Sequence, residues 1–151
     1  MSSAWKQPVS VLVVIHTPAL EVLVMERAGQ PGLWQSVTGS REGEETLTAT
    51  ALREVGEETG IHAAPEHLVD WRLSNRFVIS PQWRHRYAPD VTFNTEHVFS
   101  LCVDSPVPVR LTPDEHTRCE WLPWHAAAGK VFSWTNRDAL HLLARRVTPA
   151  A

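Results

Sequence analysis

The stretch Gly39 to Ile61, GSREGEETLTATALREVGEETGI, opens with glycines that permit a tight loop and continues with good helix formers as far as Gly60. The spacing predicts an amphipathic helix started by Thr46 or Glu45 and ended on its C-terminal side by Gly60. Leu47, Thr50 or Ala51 and Val55, with the smaller Ala49 and Leu52, supply its packed face. Its far end carries Arg53, Glu54, Glu57 and Glu58. Residues three and four apart are neighbours on a helix, so the three carboxylates line one edge within about 6 Å of one another. They also gather where the macrodipole disfavours negative charge, with Arg53 as the nearby cation. A solvated face would spread such charges. A hard divalent ion such as Mg²⁺ explains the cluster better, because it takes oxygen ligands and reaches proteins through carboxylates together with substrate phosphates.

The same residues resemble the Nudix box, G-x5-E-x7-R-E-U-x-E-E-x-G-U, where U is bulky and apolar. Gly39, Glu45, Arg53, Glu54, Val55, Glu57, Glu58, Gly60 and Ile61 fill every specified place. The resemblance implies a loop–helix–loop that binds magnesium, with Mn²⁺ as an alternative ion, and that hydrolyses a nucleoside diphosphate linked to a further group or a related organic pyrophosphate. It also implies that Arg53 ties to a loop carboxylate such as Glu45 and orients the glutamates rather than touching substrate.

Composition narrows the setting. A chain of 151 residues is the size of one domain, and residues 1–151 are expected to form a single hydrolase domain. Cys102 and Cys119 have no cysteine or histidine at structural-zinc spacing and read as reduced thiols in or near the core. The longest apolar run, Val11 to Ile15, is too short for a bilayer, and no signal peptide is evident, which predicts a cytoplasmic protein without a membrane partner. A net charge of −3 argues against general nucleic-acid binding. Trp83, Arg84, His85, Arg86 and Tyr87 interleave cations with rings between Pro81 and Pro89, a pattern that suits either a surface loop or a pocket for a phosphorylated aromatic ligand.

The remaining segments predict an α/β chain of the α+β kind, a mixed β-sheet sandwiched between helices. Val9 to Ile15 and Val22 to Glu26 are strands expected to pair through a turn at Thr17-Pro18, and Trp34 to Thr38 leads into the box. Pro65 to Leu68 is a connection. Val69 to Leu73 begins a strand that resumes around Phe77 to Ile79, and Glu96 to Val103 and Glu120 to Leu122 are further strands. Thr135, with Asp138 three residues on, predicts a capped helix from Asn136 to Arg146 with Ala139, Leu140, Leu143 and Val147 inside.

Outside the box, Lys6 to Ser10, Trp34 to Ser40, Arg84 to Pro89, Asn94 to Glu96, Glu115-His116 and Ser133 to Arg137 resemble a bacterial branch of the Nudix family that acts in folate synthesis. The segment before Gly39, Ser-Val-Thr, departs from the more usual Pro-Gly-Gly ending of the family and matches that branch. The resemblance implies removal of pyrophosphate from 7,8-dihydroneopterin 3'-triphosphate. By position it implies Glu54, Glu58 and the distant Glu115 as metal ligands, with Glu57 ligating or handling a water. It implies substrate contacts at Lys6, Arg27, Thr38, Phe77, Val78, Ile79, Ser80 and Ser133, and His85 lies near these segments. Arg53, Glu54, Glu57 and Glu58 form the expected catalytic group, with Glu57, Glu58 and Glu115 as alternatives for the general base. The expected partner is a small organic triphosphate. A nucleoside triphosphate such as dATP is the alternative substrate, and a sensor module without catalysis would be expected to have lost box carboxylates that are all present here.

Overall fold

The computed structural model describes residues 5–147, so the ends of the expected 1–151 unit lie outside the described residues. Strands β1 (Val9–His16), β2 (Glu21–Arg27), β3 (Trp34–Gln35), β4 (Val37–Ser40), β5 (Leu68–Val78), β6 (Phe93–Cys102) and β7 (His116–Pro123) make a seven-stranded mixed sheet. Helix α1 (Leu47–Thr59) lies on one face, and α2 (Trp124–Lys130) and α3 (Trp134–Arg146) lie on the other. Among the described residues no helix is long and apolar enough to cross a membrane.

β1 is the hub. It runs parallel to β6 from the pair Val9 and Thr95 to the pair His16 and Cys102. Its other edge takes β4 over Ser10 to Val13, so the expected pairing with β2 forms only beside the turn, as His16 opposite Val22. β2 pairs instead with β7 along its length and with β3 at one end. At the turn, the Leu20 N–H donates to the Thr17 carbonyl at 3.0 Å and the Glu21 N–H to the Thr17 hydroxyl at 3.1 Å.

Both faces of β1 are covered, which is why its sequence is a continuous apolar run and not an alternating one. Val11, Val13 and Ile15 pack with Leu23, Met25 and Phe99 against Ala51 and Val55 of α1. Leu12 and Val14 pack with Val22, Val24, Val98 and Trp71 against Ala127, Leu140 and Leu143 of α2 and α3. Each Val, Leu, Ile, Met or Phe among them contributes about 1.5–3 kcal/mol when fully buried.

Several local expectations change. Gly39 lies in β4 and not in a loop, while Gly43, with φ 54°, does make the tight loop. α1 starts at Thr46 as expected, whose hydroxyl accepts the Ala49 N–H at 3.1 Å, and it ends at Gly60 with φ 75°. On its packed side Ala49 is exposed and Leu52 half-buried, whereas Glu54 and Glu58 are buried. The two segments predicted between Val69 and Ile79 are one strand, β5, which ends at Val78 and is bent by a bulge between Asp70 and Ser74. β7 begins four residues before the expected Glu120, and the short α2 is an addition. α3 is capped by Ser133, whose hydroxyl accepts the Asn136 N–H at 3.1 Å, two residues earlier than the predicted Thr135. Cys102 is exposed, at the end of β6, and Cys119 is half-buried; both are free thiols.

Candidate active site

Arg53 organises the acidic end of α1. Its guanidinium grips Glu45 through Nε–Oε2 at 2.8 Å and Nη2–Oε1 at 3.0 Å, a two-pronged pairing that ties the loop to the helix. It also donates to the Ser40 carbonyl at 3.0 Å, to Glu54 at 2.7 Å and to Glu57 at 3.3 Å. The pairing holds the Glu45 carboxyl down at about 2. One arginine thus sets loop, strand and carboxylates in register. The contact with Glu45 is the one that the resemblance implied.

The glutamates do not share one environment. Glu54 is 8% and Glu58 2% exposed, on the side of the helix that meets β4, while Glu57 points outward. Gly39 makes room for this: a Cβ there would overlap the Glu54 carboxyl. Burial, together with the adjoining Glu54 and Glu115, raises the Glu58 carboxyl well above its ordinary range, and burial raises Glu54 too. Among the described residues Glu58 Oε1 has no hydrogen-bond partner. A buried carboxylate oxygen with no donor, beside two more acids, is the arrangement a cation stabilises.

Glu58, Glu115 and His116 bring one potential ligand atom each to within 4.8 Å of one another. Chain topology explains the meeting: Glu115 and His116 stand where β7 begins, and β7 runs beside β2, whose end at Arg27 faces this corner. The Ala28 N–H donates to the Glu115 carbonyl at 2.8 Å, fixing that loop. His116 is buried, and burial and Arg27 hold its imidazole down at about 4, so it is neutral near pH 7. Gln35 Nε2 donates to His116 Nε2 at 3.0 Å, and Arg27 donates to Gln35 Oε1 at 3.4 Å. The imidazole proton therefore sits on Nδ1, which faces Glu58 Oε1 at 3.8 Å.

Two cavities meet here. One, of about 1060 Å³, is lined by Arg53, Glu54, Glu57, Glu58, Glu115 and His116. The other, of about 500 Å³, is lined by Phe77, Val78, Ile79, Ser80, Ser133 and the rings of Trp83, Tyr87 and Phe132. Lys6, Arg27, Thr38, Gly39, Ser40 and Arg86 line both. Burial, then the charge of Arg86, lowers the Lys6 ammonium to about 8. The Arg27 guanidinium lies 5.0 Å from the Trp83 ring centre, and Trp83 and Phe132 are 5.8 Å apart.

Of the residues named from sequence, Lys6, Arg27, Thr38, Phe77, Val78, Ile79, Ser80, Ser133, Glu54, Glu57, Glu58 and Glu115 all line this double cleft. His85 does not: it is exposed and lines neither cavity, whereas Trp83 and Arg86 of the same 3-10 turn, Pro81–Arg86, line the cleft. Arg86, Gln35, Asn94 and Glu96 were not named individually as site residues. For Glu96 a signal existed, since it alternates in phase with Val98 on β6 and so puts an acid on an inward face.

Residues 6–144 match the NUDIX domain. The dihydroneopterin triphosphate diphosphatase of Escherichia coli K12 is 43% identical over 139 residues, covering 90% of this chain and 91% of that one. Its counterpart of the same name in Haemophilus influenzae is 36% identical over 140 residues, covering 90% and 87%. The solved structure of the E. coli dihydroneopterin triphosphate pyrophosphohydrolase superposes with a TM-score of 0.87 at 41% identity, over 95% of this chain and 99% of that one. With every specified position of the box filled and the domain match running from residue 6 to residue 144, the chain belongs to the Nudix family.

Proposed function

We propose that the chain is a magnesium-dependent pyrophosphohydrolase that converts 7,8-dihydroneopterin 3'-triphosphate and water to dihydroneopterin monophosphate and pyrophosphate; its E. coli and H. influenzae relatives are named dihydroneopterin triphosphate diphosphatases. The observation that carries this reading is the joined pair of cavities, one acidic and one ring-lined, with Lys6, Arg27 and Arg86 along their shared wall. A molecule with a flat heterocycle at one end and a triphosphate at the other fits that order. The match over residues 6–144 supports reading the chain as one hydrolase domain.

The donor set suits magnesium: Glu58 has an unpartnered buried oxygen, Glu115 stands beside it, and Glu54 and Glu57 line the same cavity. Glu54, Glu58 and Glu115 would hold the ion, with Glu57 at the open side. When bound, the ion would offset charge developing on phosphate oxygens and make a coordinated water a better nucleophile. Lys6, Arg27 and Arg86 hold and orient the phosphates, which keeps the chain in line for attack. A water oxygen bonds to phosphorus, the bridging P–O bond breaks, and pyrophosphate departs with the electron pair. The water's proton passes to a carboxylate among Glu57, Glu58 and Glu115. His116 Nδ1 stands 3.8 Å from Glu58 Oε1, and its imidazole is softer than the oxygen ligands that magnesium prefers.

The test is turnover of the pterin triphosphate by the full chain, with phosphate-containing products separated by ion exchange. Monophosphate and pyrophosphate in equal amounts, formed only with Mg²⁺ or Mn²⁺, are expected. Faster turnover of dATP than of the pterin in direct competition would reassign the substrate and leave the reaction class standing.

A further inference from the structure

Cavity-lining side chains on β6 have a chemistry that the phosphate site does not use. Successive inward residues of this strand are Asn94, Glu96 and Val98, and on β1 Ser10 stands opposite Glu96 and Leu12 opposite Val98. Beneath α3 these positions are apolar. Toward the cavity of about 500 Å³ they become Ser10, Asn94 and Glu96, all lining it and between 4% and 6% exposed. Asn94 Nδ2 donates to Ser10 Oγ at 2.8 Å, which fixes the amide with its oxygen the other way. The Thr135 hydroxyl engages one oxygen of Glu96. Among the described residues Asn94 Oδ1 and Glu96 Oε1 are left without hydrogen-bond partners.

Two buried acceptors on neighbouring inward positions, under aromatic walls, call for a ligand that brings two donors on one edge. We propose that Glu96 and Asn94 read the substrate's heterocycle and select a 2-amino-4-oxopyrimidine ring, whose ring N–H and exocyclic amino group point the same way, over a 6-aminopurine. The latter sets a ring nitrogen lone pair beside its amino group, and that lone pair would face the Glu96 oxygen. A site built for hydrogen bonds discriminates strongly against a partner that leaves its polar groups unpaired. The inference rests on the proposed placement of the heterocycle in this cavity, and it names the groups that specify it.

The test compares the full chain with Glu96→Gln, which keeps shape and offers an N–H where the carboxylate accepted. Steady-state kcat/KM is measured for 7,8-dihydroneopterin triphosphate and for dATP with Mg²⁺. Binding of phosphate-free neopterin and of adenosine is followed by tryptophan fluorescence, since Trp83 lines the cavity. The preference for the pterin over dATP should fall by at least about thirty-fold, mainly through KM, and neopterin binding should weaken by a similar factor. An unchanged preference with both substrates turned over would overturn the assignment of Glu96 and leave the hydrolase reading untouched. If the native chain hydrolyses neither triphosphate, the hydrolase reading fails, while neopterin binding that depends on Glu96 would still support the recognition floor and binding indifferent to it would refute it. Should Glu96→Gln not fold, Asn94→Ala is judged by the same ratios.

Discussion

Glu58 and Glu96 are two buried carboxyls with different neighbours, and they make different predictions. Glu58 meets Glu54, Glu115 and the His116 imidazole at the mouth of the acidic cavity. Glu58→Gln keeps its size and removes a charge, so kcat should fall by about a hundred-fold or more with Mg²⁺ present while circular dichroism stays that of the native fold. Retained turnover in that variant would dismiss Glu58 as a ligand. Glu96 lines the other cavity, and burial pushes its carboxyl up to about 7. Its ordinary range is near 4.5, so between these values the folded chain binds a proton that the unfolded chain has lost. The stabilisation this gives is full below about pH 4.5 and is lost as pH rises through about 7, a loss of a few kcal/mol at about 1.4 kcal/mol per unit. Relative to the native chain, Glu96→Gln should therefore gain stability in urea unfolding at pH 8 that it does not show at pH 5; equal differences at both would refute the buried charge. The box carboxylates were legible because their spacing is dense and local. Glu96 gave a weaker signal, its phase with Val98, whose meaning shows only once the parallel partner strand and α3 are seen to cover it.

At the scale of elements, the seat of α1 on β4 depends on the absence of a side chain at Gly39. Gly39→Ala would drive its methyl into the Glu54 carboxyl, and the helix end must shift or Glu54 must turn out. A loss of about 1–3 kcal/mol with a parallel drop in kcat is expected. Shortening the acid relieves the clash, so Gly39→Ala with Glu54→Asp should be more stable than the sum of the two single changes predicts. Strict additivity in a double-mutant cycle by thermal unfolding would count against that contact. α1 itself was readable from sequence in its start at Thr46, its stop at Gly60 and its amphipathic period. Its rotation was not: the hydrophobic pattern alone places Ala49 and Leu52 inward, whereas packing turned Glu54 and Glu58 toward the sheet, an orientation that a cation in the interface would stabilise. The cap of α3 shifted for a related reason. Asn136, expected to be the first helical residue, is buried, accepting the Ser36 N–H at 2.8 Å and donating to the Ser36 hydroxyl at 3.0 Å, a contact across a hundred residues that local spacing does not reveal.

For the whole molecule, binding of a divalent ion and folding should be linked. An ion that relieves the crowding of Glu54, Glu58 and Glu115 binds the folded chain in preference to the unfolded one, and at a hundred times its dissociation constant it adds about 2.7 kcal/mol. Millimolar Mg²⁺ should raise the melting temperature by on the order of 5 °C over chelated protein, and Glu58→Gln should abolish most of that rise. Identical melting curves with and without the ion would argue that the cluster holds none. The mixed sheet and its helices were legible in outline from apolar runs and turns; the branching at β1, where β4 displaces β2, was not, since register is a property of distant partners. That branching bears on how the chain comes together in time. The parallel β1–β6 pairing joins residues near the N-terminus to residues more than half the chain later, and α1 and all of β5 must be looped out before it can close. Closure of so long a loop is entropically costly and makes such contacts slow to form. The helix bearing the box can form early and locally, but the ring-lined cavity exists only once Ser10 stands beside Glu96. During refolding, recovery of helical signal should thus run ahead of recovery of turnover, and a nascent chain released before β6 would carry Glu54, Glu57 and Glu58 but neither Glu115 nor the Asn94 and Glu96 that line the ring-walled cavity.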